Sequence, residues 1–129
     1  HGARARQQPS VDQAHVSWLA RRPDHARLAV GGKRLLLVHS TPWEPRGTYV
    51  YPHSAHLQRF AEADADFVMY GHTHTQVVRQ VGKVTVVNPG SAGDARDPGN
   101  GRMLSCGVLD TVSGEVSILD FHDPRFPPR

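Results

Sequence analysis

A chain of 129 residues has the length of one domain and is long enough to bury a core. Its hydrophobic fraction of 38% and charged fraction of 21% exclude a disordered chain, and no apolar run reaches the ~20 residues that a membrane-spanning helix requires. The formal net charge of +3 favours a small anionic substrate over a nucleic acid, because the 13 arginines are scattered rather than clustered.

The first third of the chain predicts one helix and one buried strand. Apolar residues at helical spacing predict a helix over residues 11–21, with Asp12 as its N-cap. A Gly-Gly turn at residues 31 and 32 precedes the wholly apolar run LLLV at residues 35–38. This run predicts a strand that is covered on both faces and that leads directly into His39.

The middle of the chain predicts a loop, a short helix and a second buried strand. Three prolines and a glycine predict the loop over residues 40–52, and residues 54–62 form a candidate helix with Leu57 and Phe60 facing inward. The apolar run at residues 66–70 predicts the second strand, which leads into the segment GHTH.

The last part of the chain has the two-residue period of β-strands. One hairpin is predicted from residues 77–81 and 84–87, and another from residues 103–110 and 115–121. A glycine-rich loop at residues 88–101 joins the two hairpins.

Cys106 is the only cysteine, so an internal disulfide is excluded, which favours a reducing cytoplasm. Because Cys106 lies in a strand-like run, we expect it in the core and not as a reactive nucleophile.

Histidines follow both predicted buried strands, His39 the first and His72 and His74 the second. In layered α/β folds ligands gather at the C-terminal ends of strands, and neutral imidazole is the commonest metal ligand in proteins. On an extended segment the two histidines of an H-x-H pair face one side, and Gly71 would let the backbone bend before them. Chance is the alternative in a chain with 9 histidines, but the loop at residues 88–91, after a third strand, favours a shared site.

Three segments resemble the last three motif blocks of the calcineurin-like metallophosphoesterases, in order and in spacing. They are VHSTP (residues 38–42), YGHTH (residues 70–74) and VNPGSAGDARD (residues 87–97), and the small bacterial phosphodiesterase branch is the most similar. The resemblance covers about residues 30–121. It implies an α/β fold, part of a four-layer α-β-β-α sandwich, to which this chain contributes mainly the C-terminal sheet and one or two helices.

The same resemblance implies a hydrolase with two divalent cations, which would be Mn, Fe, Ni or Zn. His39 and His72 would bind the second cation and His74 the first. The two cations would share a hydroxide that attacks the phosphorus of a small phosphodiester or phosphomonoester.

The resemblance also implies residues around the substrate. Arg96 falls in a segment that often reads G-x-x-R-D in this branch, so it is a candidate phosphate contact. The alternative for Arg96 is a solvated loop arginine. Asn88, Gly90 and Ser91 would shape the floor of the substrate site without binding metal.

The chain departs from the family pattern in its first half. There is no D-x-H block, no strand ending in G-D-x-x-D and no complete G-N-H block. The sequence GDARD at residues 93–97 spells G-D-x-x-D, but it lies after NPGS in a loop, which indicates a coincidence and not the bridging carboxylate. His1 falls near the position of the missing G-N-H block, so it is the candidate catalytic histidine.

The missing blocks have a physical consequence. Three neutral histidines can hold one metal ion, but they cannot neutralise two dications without carboxylates. We therefore expect residues 1–129 to be the C-terminal part of a single, longer metallophosphoesterase domain, and a weak or inactive catalyst alone.

Two alternatives remain open from the sequence. The chain could be a non-catalytic phosphoesterase-fold scaffold that binds partner proteins, or a module with one zinc ion held by these histidines alone. Metal analysis separates the first alternative from an enzyme, because a scaffold that has lost its site would contain no metal.

Overall fold

The computed structural model describes residues 7–125, so the predicted role of His1 lies outside the described residues. The helix α1 is Gln13–Ala20, and the strands are β1 His25–Val30, β2 Lys33–Val38, β3 Phe67–Met69, β4 Gln76–Val81, β5 Val84–Pro89, β6 Leu104–Leu109 and β7 Val116–Phe121. Two 3₁₀ helices are Ala55–Glu62 and Pro98–Asn100.

Five of the strands form a mixed sheet in the order β1-β2-β3-β5-β4. The inner pairs β2–β3 and β3–β5 are parallel, and the outer pairs β1–β2 and β4–β5 are antiparallel hairpins. Strands β6 and β7 form a separate antiparallel hairpin. The predicted α/β class is confirmed, and the parallel order brings the C-terminal ends of β2, β3 and β5 to one edge of the sheet.

The core lies between one face of this sheet and the longer 3₁₀ helix. Leu57 and Phe60 are buried there, as the sequence predicts, because residues three apart lie on the same side of a 3₁₀ helix. The segment is a 3₁₀ helix and not an α-helix, and the side chain of Ser54 caps it by accepting a hydrogen bond from His56 N.

Strand β2 is buried on one face only, so the predicted cover on both faces is wrong for the described chain. Leu36 and Val38 are buried, whereas Leu37 between them is exposed. An apolar run therefore did not distinguish a strand buried on two faces from one buried on a single face.

Strand β1 was not predicted, although it pairs with β2 along its whole length. Most of its side chains are exposed, so it lacks the apolar alternation that marks a half-buried strand. The sequence feature that could have predicted β1 is the Gly-Gly pair. Gly31 and Gly32 both have positive φ, which suits a two-residue hairpin turn between antiparallel strands.

Cys106 is exposed, so its predicted place in the core is wrong. It lies on β6, and β6 and β7 pair only with each other. Among residues 7–125, no helix is long and apolar enough to cross a membrane.

Candidate functional site

His39 and His72 lie in contact at the edge where β2 and β3 end. Nε2 of His39 is 3.0 Å from Nδ1 of His72, and their ring centroids are 4.9 Å apart. The backbone holds this contact, because Gly71 N donates a hydrogen bond to the carbonyl of His39 over 3.0 Å. The parallel pairing of β2 with β3 thus brings together two histidines that are 33 residues apart.

The nitrogens of this pair are suited to holding a cation. Desolvation lowers the pKa of His39, and repulsion from His72 and His74 lowers it further, which favours the neutral ring that carries a lone pair. The nitrogens that face each other are Nε2 of His39 and Nδ1 of His72, whereas the other ring nitrogen of His72, Nε2, is buried without a hydrogen-bond partner in the described chain. Two nitrogens 3.0 Å apart can lie on one ion, because two metal–nitrogen bonds of ~2.0–2.1 Å span up to ~4 Å.

His74 opens onto the same cleft and is held by Asp94. Its Nδ1 lies 3.2 Å from the Asp94 carbonyl oxygen and 3.3 Å from Oδ2 of the same residue. With Nδ1–H donating to Asp94, Nε2 is the nitrogen that keeps a lone pair. All three histidines line one cleft of ≈ 870 Å³.

The histidine segment is a turn and not the extended segment that the sequence predicted. Strand β3 ends at Met69, and His72 and His74 have φ values of 69° and 56°. The left-handed region is uncommon for residues other than glycine and costs about 1–3 kcal/mol at each position. Gly71 is not among the residues with positive φ, so the histidines themselves make the bend that was assigned to it.

Asn88 lies beneath this turn, at the end of β5, and its amide is fully used there. The side-chain nitrogen donates to the carbonyl of Gly71 over 2.9 Å and to Oγ1 of Thr73 over 3.0 Å. The amide oxygen accepts a hydrogen bond from Gly90 N over 3.0 Å. Because Asn88 is fully buried, its contribution is to hold the turn that carries the histidines.

Ser91 and Arg96 lie in the loop after β5. The hydroxyl of Ser91 accepts hydrogen bonds from the backbone nitrogens of Gly93 and Asp94, which fixes the turn before Asp94. Arg96 lines the histidine cleft, and its Nε donates to Oδ2 of Asp94 over 2.8 Å. The structure therefore brings Arg96 to the histidines and leaves Ser91 in a supporting position.

Asp94 was not predicted from the sequence, because the GDARD segment was interpreted as a coincidence. Its carboxylate contacts both His74 and Arg96. The pKa of Asp94 is lowered, mainly by the hydrogen bond from Arg96. Asp97, the other acid of GDARD, is buried and accepts hydrogen bonds from Gln76 N and Gly99 N. Only the first of these two carboxylates reaches the candidate site.

Within residues 7–125, no group of three or more His, Cys, Asp or Glu side chains is arranged to hold a metal ion. His39 and His72 are a contacting pair of potential ligands, and His74 and Asp24 line the same cleft.

A family profile described as a calcineurin-like phosphoesterase superfamily domain matches residues 8–114. None of the curated proteins matches the chain.

Solved structures share the fold at low sequence identity. A hypothetical protein from Pyrococcus horikoshii OT3 superposes with a TM-score of 0.70 at 10% identity, over 96% of this chain and 56% of that one. A metallophosphoesterase from Sphaerobacter thermophilus gives 0.65 at 20% identity, over 87% and 53%. An archaeal phosphodiesterase gives 0.50 at 23% identity, over 76% and 51%. The chain thus spans about half the length of each of these proteins.

Proposed function

The chain belongs to the calcineurin-like phosphoesterase superfamily, and on this premise we propose that it is the C-terminal part of a metal-dependent phosphoesterase domain. The proposed reaction is hydrolysis of a phosphodiester or a phosphomonoester. The observation that carries the proposal is the contact between His39 and His72 in a cleft that His74 and Arg96 also line.

The three histidines have distinct proposed roles. His39 and His72 would hold one divalent cation, and His74 would hold a second, with Mn, Fe, Ni and Zn as the candidate metals. Such cations supply Lewis-acid polarisation of a phosphoryl oxygen and make a water molecule more acidic.

The other side chains of the site would bind substrate and hold the histidines. Arg96 presents a guanidinium that can donate hydrogen bonds to phosphate oxygens, and its fixed partner Asp94 orients it. Asp94 also accepts the Nδ1 proton of His74, which keeps that ring in one tautomer. His1 remains the candidate proton donor to the leaving group.

The proposed experiment compares histidine variants of the full-length protein. We expect His72→Ala and His74→Ala each to lower hydrolysis of bis(p-nitrophenyl) phosphate at least 100-fold, because removal of a ligand disrupts the cation that it holds. Circular dichroism should show a folded protein in both variants.

The matched control is His56→Ala, because His56 is an exposed histidine on the 3₁₀ helix and does not line the cleft. It should retain wild-type turnover. Wild-type rates in His72→Ala would refute the assignment, and full-length protein without bound metal would favour the scaffold alternative.

A further inference from the structure

Three aromatic side chains form a row beside the histidines, in the loop between β2 and the 3₁₀ helix. The rings of Tyr49 and Tyr51 have centroids 6.2 Å apart, and those of Tyr51 and His53 are 6.1 Å apart. In each pair the planes differ by only 9°. The row therefore presents nearly parallel rings.

The residues between the aromatic ones in the sequence, Val50 and Pro52, anchor this segment to the rest of the protein. Val50 is fully buried, and its carbonyl accepts a hydrogen bond from the hydroxyl of Tyr70 over 2.9 Å. The carbonyl of Pro52 accepts a hydrogen bond from Arg79 over 2.9 Å. With these residues fixed on the inner side, Tyr49 and Tyr51 are left 56% and 39% exposed.

The row begins at the candidate metal site. The ring centroid of Tyr49 lies 4.0 Å from that of His72, so the two side chains are in contact. A pocket of ≈ 380 Å³ runs along the row and is also lined by Arg96. Tyr49, His72 and Arg96 line both this pocket and the histidine cleft, so the two spaces adjoin.

The chemistry of the two spaces differs. The histidine cleft carries the imidazoles and a guanidinium, which suit a phosphate group. The adjoining pocket is lined by nearly parallel aromatic rings, two of which belong to partly exposed tyrosines, and a planar ring packs against such rings more favourably than a sugar or an alkyl chain does. Its volume lies within the ~300–1,000 Å³ of small-molecule sites.

We propose that Tyr49, Tyr51 and His53 form a subsite for a planar aromatic group of the phosphate ester, either a nucleobase or an aryl group. The proposal rests on the proposed function for the position of the phosphate. It gives that function a substrate class, namely esters that carry an aromatic ring a short distance from phosphorus.

The test measures binding in the full-length protein without divalent cations, so that the phosphate esters are not hydrolysed during the titration, and hydrolysis in the same preparation after Mn²⁺ is added. Isothermal titration with AMP, phenyl phosphate and ribose 5-phosphate compares ligands with and without a ring, and bis(p-nitrophenyl) phosphate reports hydrolysis. We expect AMP, phenyl phosphate or both to bind about tenfold more tightly than ribose 5-phosphate, as one stacked ring contributes.

Tyr51 is the residue to change, because its ring contacts are with Tyr49 and His53 and not with a candidate metal ligand. Tyr51→Ala should remove the tenfold preference, whereas Tyr51→Phe should keep it because the ring remains. Val112→Ala, at an 88% exposed position between β6 and β7, should keep the wild-type preference.

The outcomes distinguish a nucleobase from another aromatic group, and they test the aromatic subsite separately from the phosphoesterase function. A preference for AMP alone indicates a nucleobase, a preference for phenyl phosphate alone indicates a small aryl group, and a preference for both ring-bearing ligands indicates any aromatic group. Equal affinity for the three ligands, together with hydrolysis, overturns the subsite and leaves the phosphoesterase standing. A preference that Tyr51→Ala removes, without hydrolysis in the wild type, supports the subsite and overturns the phosphoesterase.

Discussion

The side chain of Asn88 makes three hydrogen bonds, and all three go to the histidine turn or to the loop after β5. This matters because His72 and His74 have left-handed backbone conformations that other contacts must stabilise. A buried amide that donates twice and accepts once can do this, since no solvent competes for its bonds.

The substitution Asn88→Asp tests this role with almost no change of shape. The carboxylate can still accept from Gly90 N, but it cannot donate to Gly71 O and it places an anion against that carbonyl. We expect a loss of about 1–3 kcal/mol in the free energy of unfolding, measured in urea. Metal affinity, measured by calorimetry, should fall about 10–100-fold, as is typical when the support of a metal ligand is lost.

The control for Asn88→Asp is Gln58→Glu, the same amide-to-acid change at an exposed position of the longer 3₁₀ helix. It should change stability by less than about 0.5 kcal/mol. Wild-type stability and metal affinity in Asn88→Asp would show that the turn is held by other contacts.

At the level of single residues, the sequence predicted which histidines meet but not how. The strand ends and the motif resemblance brought His39, His72 and His74 to one site. The positive φ values of His72 and His74 could not be predicted, because residues other than glycine adopt them only under tertiary constraint. Asp94 was missed for a similar reason, since only the folded loop brings its carboxylate to His74.

At the level of elements, the parallel pair β2–β3 positions the histidines, and Asp66 clamps the opposite end of this pair. The carboxylate of Asp66 accepts from Arg34 N over 2.8 Å, and Asp66 N donates to the carbonyl of Arg34 over 2.8 Å. The guanidinium of Arg34 also contacts this carboxylate, at 3.1 Å. Register between the two strands is thus fixed at their start by one carboxylate.

The contacts of Asp66 with Arg34 predict that the thermal stability of the protein falls at acidic pH. Hydrogen bonds from the side chain and backbone of Arg34 lower the pKa of Asp66, so its stabilising contribution is present above the pKa of the unfolded carboxyl and is lost as pH falls through the folded value. We expect Asp66→Asn to melt at a lower temperature than the wild type at pH 7. The difference should shrink below about pH 4.

Thermal melts of both proteins between pH 3 and pH 7 check this expectation. The control is Asp12→Asn, which makes the same acid-to-amide change at the N-cap of α1, away from the sheet. A difference between wild type and Asp66→Asn that stays constant across this range would rule out a role for the charge.

The elements themselves were predicted unevenly. The hairpins β4–β5 and β6–β7 were predicted from the two-residue period of these segments and from their turn residues, and both are present. Strand β1 was not predicted, because most of its side chains are exposed. Strand β2 was predicted to be buried on both faces but is buried on one, because an apolar run does not show what covers each face of a strand. A strand's neighbours decide its burial, and these are set by the whole sheet.

At the level of the whole molecule, charge limits what this chain can do alone. Three neutral imidazoles provide lone pairs and no negative charge, so two dications held only by them would repel each other without compensation. The superfamily membership and the fold are established, whereas the chain spans about half the length of the similar structures. We propose that the remaining ligands, carboxylates above all, lie outside these 129 residues.

This proposal predicts different metal contents for the chain alone and for the full-length protein. After dialysis against Mn²⁺ or Zn²⁺, elemental analysis should find at most one equivalent on the 129-residue chain and close to two on the full-length protein. A bound ion stabilises the folded state by about 2.7 kcal/mol at a concentration of 100 times its dissociation constant, so EDTA should lower the melting temperature of the metal-loaded protein.

His39→Ala decides between the remaining alternatives, because His39 belongs to the contacting pair. If the cation serves catalysis, this variant of the full-length protein should stay folded in EDTA and lose both hydrolysis and the stabilisation by metal. An unfolded His39→Ala protein would instead indicate a structural zinc site. Two equivalents of metal on the 129-residue chain would show that carboxylates within it complete the site, with Asp94 beside His74 as the first residue to test.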